Sequence, residues 1–388
     1  MCSLMKMEFG KLVRQKSFWI SLIVFILFML ECYFGWVSPL GDDFYILAED
    51  GTLLNGSEAV SQDRQDSERY RGVLSDEWVA QIVQNERDNE AQIEGMIQNA
   101  ETSSPISISA PSAKRLVYYY FVNTDKLSGG KLDTLVYHYG EEELRPVKDV
   151  FPESAQPLYY EYSVQWGGTL EAVVTGIFLL NIFVFFGISP VFSEERAKKM
   201  NALLFTSRFG RRKCFWAKTL TVYAIGTVLA AGTVLLLTAI TRLLFGTEGL
   251  QCSIQLVEPF LYQDCPSAKT LGTVIVDAVL LSTAGLFFTI SLTILASVFA
   301  RNSLDAFILS MVLSVSPLIL RIFRIPDEIK LIAPVNRMFD FSGVMSVPDV
   351  SFRSMRVAYS HAAAGILLCA SAVIILCAGT VYNRRAAD

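Results

Sequence analysis

Apolar positions along the chain gather into six runs, divided by stretches rich in charge and turn residues. The first runs from Phe18 to Val37 (FWISLIVFILFMLECYFGWV), and the others lie at about 170–191, 219–245, 272–300, 303–322 and 357–382. Each approaches or exceeds the roughly 20 residues that a helix needs to cross a hydrocarbon core of about 30 Å. Backbone groups in lipid must bond within their own segment, so helix is the economical reading. Only Arg301-Asn302-Ser303 separates the fourth run from the fifth, but fused they would far exceed one span. The pattern therefore predicts an all-α polytopic membrane protein with six transmembrane helices. The long interval between the first two runs is polar and acidic, and it predicts an α+β or mainly helical extracytoplasmic domain.

The boundaries follow from the pattern. Residues 1–17 form a cytoplasmic interfacial segment, 18–38 the first span, 39–168 the extracytoplasmic domain and 169–191 the second span. A cytoplasmic loop occupies 192–218, the third span 219–245 and an extracytoplasmic loop 246–271. The fourth and fifth spans cover 272–300 and 303–322, an extracytoplasmic segment 323–356, the sixth span 357–382 and a cytoplasmic tail 383–388. Before the first span, Met5, Phe9, Leu12 and Val13 fall on one helical face, away from Lys6, Glu8, Lys11 and Arg14. That spacing suits an amphipathic helix in the membrane interface; the alternative is a basic flank that only orients the span. In the domain, Ser75 is an N-cap candidate, with Asp76 and Glu77 in the first turn and Trp78, Val79, Ile82 and Val83 marking one face. Ile93, Met96 and Ile97 resume that face. The stretch Thr102 to Ser112 (TSSPISISAPS) reads as a linker, and Leu116 to Asn123 (LVYYYFVN) as a strand or a buried segment.

Charge adds orientation. The loop from Ser193 to Lys218 carries eight basic residues against Glu194 and Glu195, and the N-terminus and the tail (Arg384, Arg385) are basic too. The positive-inside rule then puts both termini in the cytoplasm of a multi-pass cell-membrane protein. The 323–356 segment, with Arg324, Lys330, Arg337, Arg353 and Arg356, runs mildly against this arrangement. A signal-peptide reading of the first run fails on its length and on the lack of a small-x-small cleavage site.

Composition narrows the chemistry. Of 388 residues 52% are hydrophobic and 18% charged, too apolar for an ordinary soluble domain, and a net charge of −5 argues against nucleic-acid binding. Two histidines, His138 and His361, and seven cysteines without paired spacing give no metal site. No phosphate-binding GxxxxGK[ST] loop occurs; Gly129-Gly130-Lys131 lacks both the upstream glycine and the following Ser/Thr. The chain is therefore read as no enzyme and as holding no cofactor, so any ATP dependence requires a partner. Polar residues in the spans, Glu31, Asn181 and Asp277, mark a candidate translocation pathway, because intramembrane charge is costly. Glu31 alternatively snorkels outward, and Asp305 is assigned to the inner interface. Cys252 and Cys265 share the 246–271 loop, where oxidising conditions permit a disulfide; two free thiols are the alternative. Cys2, Cys32, Cys214, Cys369 and Cys377 are expected to be unpaired.

The loop SEERAKKMNALLFTSRFGRRKCFWAK is the most informative stretch. A short amphipathic helix, Glu194 to Phe205, exposes charges and retains Met200, Leu203 and Leu204; Thr206, Ser207 and Gly210 end it. Topogenic charge alone does not call for an apolar patch, whereas a docking surface needs one with a charged rim.

In its order of elements and in FSEERAKKMNALLFTSRFGRRKCFWAKTL, the chain resembles permease subunits of ATP-binding-cassette (ABC) transporters of the type-two export family. The family-like positions are Glu194, Glu195, Arg196, Ser207, Arg208, Gly210, Arg211, Lys213, Ala217 and Lys218. The stretch YRGVLSDEW is similar to members with a large outer domain, often from Gram-positive bacteria. The resemblance implies an exporter permease whose loop couples to a separate cytoplasmic ABC ATPase through Glu194, Glu195, Arg196, Met200, Leu203, Leu204, Ser207, Arg208, Arg211, Lys213 and Lys218. It further implies ATP and magnesium on that partner, a second identical or related permease subunit, and surrounding membrane lipid. Two other readings stand beside it. One is an ATPase-coupled sensor or resistance module whose outer domain binds a peptide or antibiotic. The other is an ion-coupled secondary transporter, for which inverted repeats and broken spans are missing.

Overall fold

Each apolar run lies in a helix of the computed structural model, which describes residues 2–37, 45–48, 52–88, 95, 111–122, 144–197, 212–257, 261–322, 341–352 and 355–385. Helices α1 (Cys2–Val13) and α2 (Lys16–Val37) are parted by a break at Arg14 and Gln15. Carbonyls at the end of α1 are still satisfied: Gln15 N–H donates to Leu12 O (3.0 Å) and Trp19 Nε1 to Val13 O (2.7 Å). One face of α2 is buried through Phe18, Phe25, Met29 and Tyr33, while Trp19, Ile20, Ile23, Leu27 and Phe28 are left exposed. Apolar exposure on that scale fits a lipid-facing surface rather than water.

Among its described residues, the region after α2 is mainly helical, with two small antiparallel strand pairs. Strands β1 (Tyr45–Leu47) and β2 (Leu53–Asn55) pair antiparallel, ahead of α3 (Gly56–Glu68), β3 (Gly72–Val73) and α4 (Asp76–Asp88). Ser75 caps α4 as expected, its Oγ accepting from Trp78 N–H at 3.1 Å. Helix α5 (Ser112–Phe121) covers most of LVYYYFVN and excludes the strand reading. Its buried Ala113, Leu116, Val117, Tyr120 and Phe121 repeat at helical spacing, which overrides the β preference of Val, Tyr and Phe. Ser112 opens that helix instead of closing the expected linker. Its N–H and Oγ donate to the buried Asp63 carboxylate, both at 2.6 Å. Strand β4 (Tyr159–Tyr160) pairs with β3.

The spans follow. A single helical turn, α6 (Val147–Val150), precedes α7, which runs from Val164 to Phe183. A π-turn (Val184–Ile188) joins it to α8 (Pro190–Ala197), giving one continuous apolar segment of 34 residues. Then come α9 (Arg212–Phe245), α10 (Leu271–Phe299), α11 (Ser303–Ile322), the short α12 (Phe341–Met345), the β5–β6 hairpin (Val350–Phe352 and Met355–Val357) and α13 (Tyr359–Arg385). Among the described residues, five helices are long and apolar enough to cross a membrane: Lys16–Gly35, Val164–Ala197, Arg212–Phe245, Leu271–Phe299 and Tyr359–Arg384. Among the described residues α11 offers a shorter apolar stretch, Ser303–Ser314. In their most apolar stretches α10 and the α7–α8 segment are 67% and 61% buried, against 28% for α2, so these two sit innermost. Close approach of α7 to α9 needs Gly176, where an added Cβ would lie 2.9 Å from Thr233 Cγ2. Nearby, Thr241 Oγ1 bonds both Tyr33 OH (2.9 Å) and Thr169 Oγ1 (2.7 Å), tying α2, α7 and α9 through hydroxyls.

The core of the 45–163 region is not sealed off from the spans. Trp78, Ile82, Val117, Tyr120, Phe151 and Leu158 continue into Cys252, Ile254 and Tyr262 of the loop after α9, and on to Leu271 and Tyr359. Backbone bonds stitch the same seam: Ser253 N–H donates to Tyr159 O (2.8 Å) and Tyr120 OH to Gln255 O (3.1 Å). The opposite end of the bundle gathers α1, α8, the start of α9 and the end of α13, where Phe192, Phe215 and Tyr382 stack with centroids 5.4–5.6 Å apart.

Candidate functional site

The second span does not stop at its apolar run. Past the π-turn it carries Pro190–Ala197 into the bundle, and both ends of that short helix are held by α10. The hydroxyl of Ser297 accepts from the backbone N–H of Phe192 (3.1 Å) and Ser193 (3.3 Å) and donates to Ser189 O (2.6 Å). Those are N-terminal groups that a helix cannot satisfy itself. In return, Arg196 from the last turn of α8 donates to Val298 O (2.9 Å), Phe299 O (3.3 Å) and Ala300 O (2.6 Å). A cation on the carbonyl end of α10 also complements its dipole. Each helix thus caps the other.

Charges lock the remaining sides. Glu195 pairs with Lys218 of α9 and with Lys11 of α1, the latter at 3.1 Å; Lys11 reaches Glu8 at 2.8 Å. The Lys218 side chain is 0% exposed. Its ammonium also donates to Val191 O (3.0 Å) and lies 5.0 Å from the Phe192 ring centroid. A buried cation is tolerable only with partners of this kind. Glu194 accepts from the Gln15 side chain. Burial pulls the Lys11 ammonium down, but the bond to Glu8 and the field of Glu195 outweigh it and leave the group above its ordinary value. These contacts tie α8 to α1, α9 and α10.

The residues marked by the sequence divide as follows. Glu194, Glu195, Arg196 and Lys218 converge on this clamp, facing inward rather than forming an exposed rim. Lys213 lies in the first turn of α9. Met200, Leu203, Leu204, Ser207, Arg208 and Arg211 fall outside the described residues, as does the helix expected beyond Ala197. The proposed pathway residues are not brought together. Glu31 is exposed on α2. Asn181 is buried in α7 and bonds Phe178 O at 2.6 Å. Asp277 joins the far ends of α10 and α13, contacting Lys269 (2.7 Å), Ser360 Oγ (3.3 Å) and His361 Nε2 (3.3 Å). No hydrogen bond or ion pair links any two of the three among the described residues. Cys252 and Cys265, the possible disulfide, are both buried, and each carries a free thiol in the structure. Each Sγ instead lies near a backbone carbonyl, that of Ser253 (3.6 Å) or Ser267 (3.9 Å). Burial pushes the Cys252 thiol up to about 11, where it is a poor thiolate for exchange.

Sequence reasoning missed several participants. Glu8 sat on the polar side of α1, yet it is buried, and its i,i+3 spacing to Lys11 was a readable signal. Glu171, the acid inside α7, accepts from Tyr262 OH and was visible as a charge at the start of an apolar run. Ser297 left no local trace, because its partners lie over a hundred positions away.

No curated protein and no solved structure matches the chain. A family model described as ABC-2 family transporter protein does, over residues 2–385. That family consists of membrane components rather than ATPases and implies association with an ABC ATPase. With nearly the whole chain matched and several helices apolar enough to span, this protein belongs to the ABC-2 family of transporter permeases.

Proposed function

We propose that the chain is the membrane subunit of an ATP-driven exporter and that α8 is where hydrolysis is felt. In this reading six spans cross the cell membrane, α11 being the fifth, and both termini are cytoplasmic. A separate ATPase carrying ATP and magnesium docks on residues 198–211. A second permease subunit, identical or related, completes the transmembrane unit.

The observation that carries the reading is the fourfold attachment of α8 to α1, α9 and α10 by Glu195, Lys218, Arg196 and Ser297. A loop that only set topology would need none of it. The ATPase moves the segment after Ala197, α8 follows, and its bonds pass the movement to the innermost helix α10. The π-turn between α7 and α8 supplies the place where the second span yields, as such turns frequently do at working sites. Met200, Leu203 and Leu204 supply the apolar anchor for docking.

The test uses co-expression with the ATPase of the neighbouring reading frame. Leu203→Asp with Leu204→Asp should leave the permease in the membrane and release the ATPase on purification. A double variant that still holds its ATPase at the unmodified level refutes the docking assignment.

A further inference from the structure

Between the α1–α2 break, the π-turn and the start of α11 lies an open cleft of about 950 Å³, at the same end of the bundle as the clamp. Its wall is divided by chemistry. On one side stand Lys11, Arg14, Gln15, Lys16 and Ser17; on the other, Phe185, Phe186, Leu304 and Phe307. Two acids also border it, but both are engaged, Glu195 by Lys218 and Lys11, and Glu194 by Gln15. Arg14 and Lys16 are exposed and make no ion pair or hydrogen bond among the described residues. Three cations, Lys11, Arg14 and Lys16, line the cleft against these two acids, so its net charge is positive.

From this we infer that the cleft binds one anionic phospholipid, its phosphate on Arg14 and Lys16 and its acyl chain along Phe186, Leu304 and Phe307. Three observations select a lipid over another occupant. Arg14 stands in the break before α2 and Lys16 opens that helix, which is long and apolar enough to cross a membrane. Phe185, Phe186, Leu304 and Phe307 line the same cleft, with Leu304 65% exposed. The volume suits a headgroup with part of a chain and exceeds what a bare phosphate needs. Basic side chains at an interface attract anionic lipid. The inference is independent of ATPase coupling and is tested on the permease alone.

The full-length protein, purified in an uncharged detergent and stripped of lipid, is titrated with phosphatidylglycerol, phosphatidylcholine and inorganic phosphate, and bound molecules are counted by native mass spectrometry. Phosphatidylglycerol should bind one copy at least roughly tenfold more tightly than phosphatidylcholine, with phosphate failing to displace it. Arg14→Gln with Lys16→Gln should remove that preference, whereas Lys6→Gln, a charge on α1 outside the cleft, should keep it. Leu304→Trp, which fills the cleft without altering charge, should weaken phosphatidylglycerol binding and keeps the test decisive if the double variant fails to insert. Equal binding of the two lipids, retention of the preference in either cleft variant, or displacement by phosphate overturns the inference.

Discussion

The two ends of this molecule are held together by different forces. At one end α8 is fixed by a few directional contacts among charged and capping groups: Glu195 with Lys218 and Lys11, Arg196 on the carbonyls of α10, and Ser297 on the first turn of α8. At the other, aromatic and aliphatic side chains from α4, α5, the loop after α9 and the ends of α10 and α13 share one apolar core. Apolar burial is non-directional and spread over many contacts, so its loss is gradual. A buried ionic contact is worth little net, yet removal of one partner strands the other at high cost. The ionic end is accordingly the place where one small displacement changes the whole arrangement, and the apolar end is a fixed frame.

Substitutions at the two ends should separate these behaviours. The largest effect is expected for Lys218→Ala, which leaves Glu195 with Lys11 as its remaining counter-charge. Breaking such a pair costs on the order of 3–5 kcal/mol, to be read as a lowered unfolding temperature of the detergent-solubilised protein. Replacing both partners, as Glu195→Leu with Lys218→Met, should recover much of the loss. A double variant as unstable as Lys218→Ala would deny that the two charges act as a pair.

Ser297→Ala comes next, at about 1–2 kcal/mol for a lost cap. Hydrogen–deuterium exchange should quicken in Pro190–Ala197 and stay unchanged in the outer region; unaltered exchange of α8 amides would contradict the cap. At the apolar end, Ile82→Val should cost only about 0.5–1.5 kcal/mol. It should raise protease sensitivity across the 45–163 region without touching α8, and local damage reaching α8 would show that the ends are not independent.

The smallest effect concerns pH. Burial lifts the Asp63 carboxyl above its ordinary value, and the bonds from Ser112 offset this only in part. The folded state then keeps the proton longer than the unfolded state does. Stability contributed at this site should fall as pH rises from the ordinary aspartate value, about 3.9, through the raised folded value, and level off beyond it. Burial lifts Glu86 in the same direction, against the pull of Lys114, so the intact protein combines both. Asp63→Asn should flatten the protease-sensitivity profile of the 45–163 region at pH above the ordinary aspartate value, leaving the Glu86 share. An unchanged profile would remove Asp63 from the account.

What the sequence revealed follows the range of each signal. Spans are local, about 20 apolar residues in a row, and five helices long and apolar enough to cross a membrane appear where runs were read. The Ser75 cap is local as well, and its hydrogen bond is present. Helix α5 was also legible in principle, since Ala113, Leu116, Val117, Tyr120 and Phe121 recur at helical intervals; the β preference of its aromatic residues hid it. The clamp was half legible. Glu194, Glu195, Arg196 and Lys218 stood out as charges, but nothing local told that they turn inward. That depends on α1 and α10 arriving from 184 and about 100 positions away. The apolar environment of the two loop cysteines was likewise a product of tertiary packing, which their shared place in the 246–271 loop did not disclose.

The π-turn at Val184–Ile188 gives α8 a property that distance measurements alone would miss. A π-turn holds one residue more than the α-turn it replaces, and one residue corresponds to about 100° around a helix. Were the turn to close to ordinary α geometry, α8 would rotate by that angle about its own axis. Glu195 would turn relative to Lys218, and Arg196 relative to the end of α10, in the same step. A single residue in the turn therefore sets the phase of every contact that α8 makes.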